Sequence, residues 1–446
     1  MAWLAILFVC VVSMVVVQTP AFGQESSSPG GTTSPPEPAP TQETPAAAPA
    51  LAQEPWFLMK SLKGTWVGNG LDSINTSIYG WIQQGFAGNP ASPNDRVNFG
   101  ANLDWRSNDY RFNQFYLIAE RPLERESKFA FGYRLDFLIG MDAPWFVANG
   151  LFSSFTGFDR TSGIGVDGPG SFRNVNAVGI DLPQFFAEIH IPGFITPGGI
   201  DIKVGKFYSL IGRDVYPAAD TDFYSRTYEN ILATPFTHTG GLITLHATPT
   251  WDIVAGVVVG WDVFIDNNSM ASFTGQFVYN SLDKRYNWTT SWITGPEQPS
   301  NDRYYRTMVS SYLTVKLDNA GDWLLAAGGH FAHEVNAATN PDTGQRQNAD
   351  WYGTTVNLFY QIIPKLRLGG RFEWFRDADG TRTAVLGRPG FRANFFDTTF
   401  GVTYTPWRPV IIRPELRVDW SPDSRPYNDQ TKKVQFVPAI DVIVRF

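Results

Sequence analysis

The chain has 446 residues, of which 15% are aromatic and only 17% are charged, and it contains 41 glycines. The charged fraction lies below the about 25% typical of soluble domains, yet the mean hydropathy of −0.17 is too low for a bundle of membrane helices. A net charge of −7 without a basic block excludes nucleic acid as an expected partner.

The first predicted element is a secretory signal. Leu4–Val17 is an apolar run too short to span a bilayer, and Ala21–Gly23 offers small residues at a cleavage site. We therefore predict a signal peptide over residues 1–23. Because no Lys or Arg precedes the apolar run, an uncleaved anchor is the alternative. Cys10 is the only cysteine, so cleavage would leave a mature chain without disulfides or thiol chemistry.

Residues 24–70 are predicted to be a disordered periplasmic linker. Its first part, 24–55, is rich in Pro, Ser, Thr, Ala and Glu and lacks aromatic residues, so it cannot bury a core. Beyond the linker the composition stays constant to the end of the chain. The sequence therefore predicts one domain over residues 71–446.

This domain consists of alternating segments. In residues 128–140, aromatic and aliphatic side chains occupy one face of a predicted strand, while Lys128, Arg134 and Asp136 occupy the other. The segment that ends at Phe446 alternates in the same way. We count about 16 such strands, and each is close in length to the roughly 9–11 residues that a tilted membrane strand needs.

The predicted links between strands alternate in length. Odd-numbered links are mostly long and polar or rich in Gly and Pro, such as 141–181 and 333–350, with 266–270 as a short exception; even-numbered links are short. Bacterial outer-membrane barrels have short periplasmic turns, long external loops and an even number of strands. The sequence predicts an all-β, transmembrane, antiparallel up-and-down β-barrel in the bacterial outer membrane. A secreted soluble sheet protein is the alternative, and it gives no reason for this alternation.

Several segments resemble a known family. They are "SIYGWIQQGF" at 77–86, "FNQFYLIAERPL" at 112–123, "IDIKVGKFYSLIG" at 200–212 and "FYSRTYENILATPFTHTG" at 223–240. They resemble the bacterial outer-membrane porins of the β-barrel porin-2 (OmpL-like) family over about 71–446. The resemblance implies a channel for small solutes in outer-membrane lipid, compatible with a homotrimer, and it implies that Phe446 is the insertion signal read by the barrel-assembly machinery.

The lumen of such a barrel should be lined by charged side chains, because the apolar face of each strand must meet lipid. The alternative for some of these charges is a structural role, in which they form ion pairs that fix the register of the strands. The predicted pore-lining residues are Arg134, Asp136, Glu188, His190, Asp201, Lys203, Arg367, Arg371, Glu373, Arg413, Glu415 and Arg417, with Asp419, Asp441 and Arg445 as further inward charges.

The third long link carries a second set of candidates. In porins of this size the third loop often folds into the barrel, so we expect it to face a basic stripe of arginines across a narrow passage. A solvated external loop is the alternative. The stripe consists of Arg367, Arg371, Arg413 and Arg417. The constriction-loop candidates are Asp214, Asp220, Asp222, Arg226 and Glu229.

The expected function is passive diffusion of small polar solutes or ions through a water-filled channel. The alternatives are a channel selective for sugars or anions, and a plugged barrel that acts as an adhesin or scaffold. We expect no enzyme activity, no cofactor and no metal, since "HFAHE" at 330–334 fits rim histidines better than a metal site. Tryptophans near strand ends are expected to form interfacial girdles; they are Trp251, Trp261, Trp351, Trp374, Trp407 and Trp420.

Overall fold

The computed structural model describes residues 55–125, 128–152, 158–159, 164–165, 168–169, 178–384 and 390–446. The predicted signal peptide and most of the predicted linker lie outside the described residues. Among the described residues, sixteen antiparallel strands form one barrel. They are β1 (Ser77–Ala87), β2 (Asp109–Arg121), β3 (Ala130–Gly140), β4 (Gly179–Asp181 and Phe185–Ile191), β5 (Ile200–Tyr208), β6 (Thr237–His246), β7 (Trp251–Val258), β8 (Ser272–Asn280), β9 (Tyr286–Pro296), β10 (Tyr305–Lys316), β11 (Trp323–Thr339), β12 (Arg346–Ile363), β13 (Leu366–Asp377), β14 (Ala393–Trp407), β15 (Val410–Trp420) and β16 (Val434–Arg445).

The sheet closes on itself. Each strand pairs with the next, both segments of β4 pair with β3, and β16 pairs with β1 from Trp81 opposite Arg445 to Ala87 opposite Ala439. Beyond the last strand, the N–H of Phe446 still donates to the carbonyl of Gly80 at 2.9 Å. Closure removes both sheet edges, which lipid could not solvate. The predicted 16-stranded barrel is confirmed, whereas the insertion role of Phe446 stays a prediction.

Side-chain exposure alternates along the strands as a barrel in lipid requires. Leu135, Phe372 and Ile440 are exposed on the outer surface, while the neighbouring Asp136 and Glu373 are fully buried inside. Apolar side chains thus cover the outer wall, and the polar groups of the same strands share the interior.

The two ends of the barrel differ. One end, here called the turn end, carries short links such as 247–250, 364–365 and 408–409. The opposite end, the loop end, carries loop 1 (88–108), loop 2 (141–178), loop 3 (209–236) and five further loops. Two predicted link lengths were wrong. The link expected at 333–350 is a long hairpin with a turn at 340–345, and the link expected to be short spans 259–271.

Two helices precede the barrel, α1 (Phe57–Leu62) and α2 (Trp66–Ser73). The hydroxyl of Thr65 caps α2 by accepting the N–H of Gly68 at 3.1 Å. Residues 57–62 and 66–70, at the end of the predicted disordered linker, are therefore helical. No helix among the described residues has both the length and the apolar character to cross a membrane.

The loop end is filled from inside by short helical and extended pieces of the loops. These include a 3₁₀ turn at Asn102–Asp104, α3 (Ala143–Phe146) and a π-helical turn at Glu229–Ala233, whereas a 3₁₀ turn at Ala218–Asp220 lies further toward the turn end. Loop 2 also contains two-residue strands at 158–159, 164–165 and 168–169. Phe99 of loop 1 packs against Phe395 and Tyr427, with ring centroids 5.9 and 6.0 Å away. Gly100 has φ +85°, and a Cβ there would lie 2.3 Å from the ring of Tyr228, so only glycine fits between loops 1 and 3.

Loop 1 also buries a carboxyl group. Asp104 is fully buried, and neither of its oxygens has a hydrogen-bond partner. Burial, together with the negative charge of Glu415, raises the pKa of Asp104 to about 8, against the opposing effect of Arg417. Asp104 is therefore protonated at neutral pH, and its ionisation at higher pH weakens the packing of loop 1.

We expect Asp104→Asn to stabilise the barrel at alkaline pH. A raised folded-state pKa means that the folded chain holds the proton more tightly, so stability falls as the pH rises from about 4 to about 8. The variant should raise the free energy of unfolding by at least about 1 kcal/mol at about pH 9 and should change little at about pH 4. Urea unfolding in micelles at both pH values measures this. Asp302→Asn, on exposed loop 5 (297–304), should change neither; a uniform change for Asp104→Asn would contradict the assigned ionisation.

Candidate permeation pathway

Loop 3 lies inside the barrel, where two glutamates of the wall bind its backbone. The carboxylate of Glu415 on β15 accepts the N–H groups of Tyr224 and Ser225 at 2.8 and 3.0 Å. The carboxylate of Glu373 on β13 accepts the N–H groups of Tyr228 and Glu229 at 2.7 and 2.8 Å. A carboxylate that receives two successive N–H groups makes charge-assisted hydrogen bonds, which are stronger than neutral ones.

Three arginines bind the carbonyl groups of the same loop. Arg413 donates to the carbonyl oxygens of Ala218 and Thr221 at 3.0 and 2.7 Å. Arg371 donates to the carbonyl of Ser225 at 3.0 Å, and Arg417 donates to that of Arg226 at 2.5 Å. Each arginine also pairs with an inward aspartate; the partners are Asp441, Asp397 and Asp419 respectively.

The predicted basic stripe and the third loop thus meet directly. Only Arg367 meets an acidic side chain of the loop, through its 3.0 Å ion pair with Asp222. The other three arginines bind backbone, because their charge is already compensated by aspartates on neighbouring strands. Arg371, Arg413 and Arg417 are almost completely buried.

The remaining loop 3 candidates lie in different surroundings. Asp214 accepts the N–H and hydroxyl of Thr227 within the loop. Burial alone would raise the pKa of Asp214, but the guanidinium groups of Arg371 and Arg213 more than offset it, so this pKa lies below its ordinary value. Glu229 binds the hydroxyl of Tyr312 and lies 3.3 Å from Nδ1 of His330.

Arg226 is buried and points back into its own loop, where it donates to the carbonyls of Phe223 and Tyr224 at 3.1 and 3.0 Å. Its position therefore fixes the shape of loop 3.

The tip of loop 3 borders a cavity of about 170 Å³ near the turn end. The cavity is lined by Trp56, Tyr79, Gly80, Trp81, Ile118, Arg134, Ala219, Asp220 and Arg445. Asp220 faces the charges of Arg134 and Arg445 here, and burial raises its pKa above the ordinary value against their opposing effect. The indole of Trp56 lies between Arg408 and Arg445, with guanidinium carbons 4.3 and 4.7 Å from the ring centre.

All twelve predicted pore-lining residues belong to the inward series of their strands, but most are covered. Those that are partly exposed are Arg134, Glu188, Lys203 and Arg367. The buried ones are Asp136, His190, Asp201, Arg371, Glu373, Arg413, Glu415 and Arg417. Ion pairs account for much of this burial, as in Arg134 with Asp136 at 2.7 Å.

The opposite wall has an uncharged character that the sequence analysis missed. On β8–β10 the inward side chains of Gln276, Ser291 and Ser310 lie in register across the strands, and further hydroxyl groups face inward on β6, β9 and β10. The charged Asp252 and Arg306 also face inward, but they lie at the ends of β7 and β10. This uncharged wall consists of Thr244, Gln276, Thr289, Ser291, Ser310 and Thr314. The alternation of each strand could have revealed this wall from the sequence. These polar residues occupy inward-facing positions, as the charged residues do on the other strands.

Two further sequence predictions change. His330 faces the interior, whereas His333 lies on the outer side and pairs with Asp350 at 2.7 Å, so "HFAHE" does not bring its histidines together. Trp261 and Trp351 are buried rather than in an interfacial girdle, and the indole N–H of Trp351 donates to the carbonyl of Ala233 in loop 3.

A closed 16-stranded barrel with an apolar outer wall, a polar interior and a loop folded inside defines an outer-membrane porin. Residues 75–446 match the family described as "Putative beta-barrel porin-2, OmpL-like", and the chain belongs to that family. It is therefore a bacterial outer-membrane channel for small solutes. A comparison with curated protein sequences finds no match.

Solved porins share the fold at low sequence identity. The outer membrane channel DcaP of Acinetobacter baumannii superposes with a TM-score of 0.52 at 10% identity, over 83% of this chain and 97% of that chain. Pseudomonas putida OprB at high pH gives 0.52 at 13%, over 85% and 96%. The trimer form of Vibrio cholerae OmpT gives 0.50 at 9%, over 83% and 99%.

Proposed function

We propose that the protein is a passive diffusion channel whose passage is set by loop 3. The observation that supports this most is a set of four hydrogen bonds from the backbone of loop 3 to the barrel wall. Glu373 and Glu415 each accept the N–H groups of two consecutive loop residues. These bonds hold the loop across the lumen beside the charged strands β13–β16. Solutes then pass between loop 3 and the uncharged wall.

The pathway we propose combines few exposed charges with many neutral hydrogen-bonding groups. Arg134, Glu188, Lys203 and Arg367 keep solvent contact, and Lys203 and Glu188 compensate each other at 3.3 Å. Hydroxyl and amide groups replace the water molecules around a neutral polar solute. Because these groups carry no net charge, they do not strongly favour cations over anions. This supports small polar solutes as the main cargo, with weak ion selectivity.

Single-channel conductance of the mature chain in a planar bilayer tests the proposal. We expect ohmic steps of constant size with a permeability ratio of K⁺ to Cl⁻ near one, because the inward charges are compensated in pairs. Neutral polyols added at increasing concentration should lower the conductance gradually. A folded barrel without conductance would contradict the channel and favour the plugged adhesin or scaffold.

We propose further that the barrel has no enzymatic role. Within the part of the chain that the structure describes, the contact most similar to a nucleophile–base pair is Ser209 Oγ with His238 Nε2 at 3.1 Å, where His238 Nδ1 donates to the carbonyl of Gly260. His238 is completely buried, and Ser209 Oγ also accepts the N–H of Ile211. This contact supports the start of loop 3 rather than catalysis.

A homotrimer is the assembly we propose, supported by the trimer form of OmpT with the same fold. Light scattering of the detergent-purified protein, corrected for bound detergent, should give three chains per particle. A monomeric mass with normal conductance would contradict this assembly.

A further inference from the structure

A cluster of two histidines and two aspartates lies inside the barrel at the turn end. His190 on β4, Asp201 on β5 and His246 on β6 offer ligand atoms that all lie within 4.8 Å of one another, and all three residues are buried. His190 Nδ1 lies 2.7 Å from Oδ1 of Asp201, and His246 Nε2 lies 3.1 Å from Oδ2. The strand register fixes this arrangement, because His190 stands opposite Asp201 in adjacent strands.

One nitrogen of the cluster has no hydrogen-bond partner. His246 is only 5% exposed. Its Nε2 lies near Oδ2 of Asp201, but the two atoms do not meet in hydrogen-bond geometry. Its other nitrogen, Nδ1, lies 2.7 Å from the carboxylate of Asp252 on β7. A carboxylate on the far nitrogen is the usual outer support of a metal-binding histidine, because it fixes the tautomer that leaves Nε2 free to coordinate.

We propose that His190, Asp201 and His246 bind a divalent transition metal ion such as Zn²⁺. Two imidazoles and one carboxylate suit Zn²⁺ and its neighbours in the first transition row, whereas Ca²⁺ and Mg²⁺ prefer oxygen ligands alone. Three protein ligands leave a coordination position open for water or a solute group. The ion also joins the turn ends of β4, β5 and β6.

Arg125 gives the proposal a directional test. Its Nε lies 2.6 Å from Oδ2 of Asp201, and its side chain is 44% exposed on the turn between β2 and β3. A cation bound to the same carboxylate competes with a metal ion by charge and by occupation of the oxygen. Arg125→Gln should therefore tighten metal binding, whereas loss of a purely structural contact would not.

The experiment uses the mature chain without an affinity tag, refolded in detergent and stripped with EDTA, and titrates Zn²⁺ alone by calorimetry. We expect one ion per chain, binding at least about tenfold weaker in His190→Gln or His246→Gln and about tenfold weaker in Asp252→Asn. Arg125→Gln should bind more tightly than the wild type. The control is His333→Gln, since His333 also pairs with an aspartate at 2.7 Å but lies outside the cluster.

Folding is checked separately through heat-modifiable electrophoretic mobility, and only folded variants are titrated. Absence of stoichiometric binding to the wild type would overturn the proposal. Equal affinities for His190→Gln, His246→Gln and His333→Gln would overturn it as well, because binding would then lie elsewhere on the chain. The tightening expected for Arg125→Gln cannot result from misfolding.

Discussion

Replacing Glu373 and Glu415 together by alanine is expected to release loop 3 and to raise single-channel conductance severalfold. Each carboxylate accepts two backbone N–H groups of the loop, and hydrogen bonds to a charged group contribute about 1.5–3 kcal/mol each. Bilayer recordings of the double variant measure the effect, and the free energy of unfolding should fall by several kcal/mol.

Glu334→Ala is the matched control for this release. Glu334 is also a buried inward glutamate, but it pairs with Arg306 on the neighbouring strand at 2.8 Å rather than with loop 3. Its removal should leave conductance close to the wild-type value. If the folded double variant conducts like the wild type, loop 3 does not limit the passage, and the proposed constriction fails.

The sequence predicted strands best where the chain crosses the membrane. There one face meets lipid and the other meets the lumen, so polarity alternates with a period of two. Beyond the bilayer both faces meet water, and the alternation disappears while the backbone ladder continues. This explains why the ends of β11 and β12, with Asn336 and Asn348, were predicted as loop although the hairpin extends to a turn at 340–345.

The inward direction of the charges could be predicted from the same alternation, but their partners could not. Glu373 and Glu415 bind loop residues that are 145 and 191 positions away in sequence, so no local pattern reports the contact. The insertion of loop 1 into the barrel could not be predicted either. Phe99 and Asp104 resemble ordinary loop residues in the sequence, and only the closed barrel buries them. Likewise, Trp351 follows the girdle pattern at a strand position where loop 3 happens to supply a carbonyl.

The cluster at the turn end is formed by the register of the strands and not by a short sequence motif. A short turn separates His190 from Asp201, the long loop 3 separates Asp201 from His246, and none of the three belongs to a recognisable metal motif. Antiparallel pairing of β4 with β5 and of β5 with β6 places them side by side. A sequence analysis that followed the predicted pairing across strands would find such sets.

The charge of Asp220 at the loop tip is expected to make ion selectivity depend on pH. Burial raises the pKa of Asp220, so this carboxylate loses its charge at a higher pH than an ordinary aspartate with a pKa of about 4. As the pH falls, Arg134 and Arg445 stay charged beside it, and the local potential becomes more positive. The reversal potential in a salt gradient should therefore shift toward anion preference on acidification, and Asp220→Asn should show that shift already at neutral pH.

Asp302→Asn on loop 5 serves as the control and should behave like the wild type. An unchanged pH profile in Asp220→Asn would place the selectivity elsewhere, since the variant removes the only group whose titration the prediction invokes.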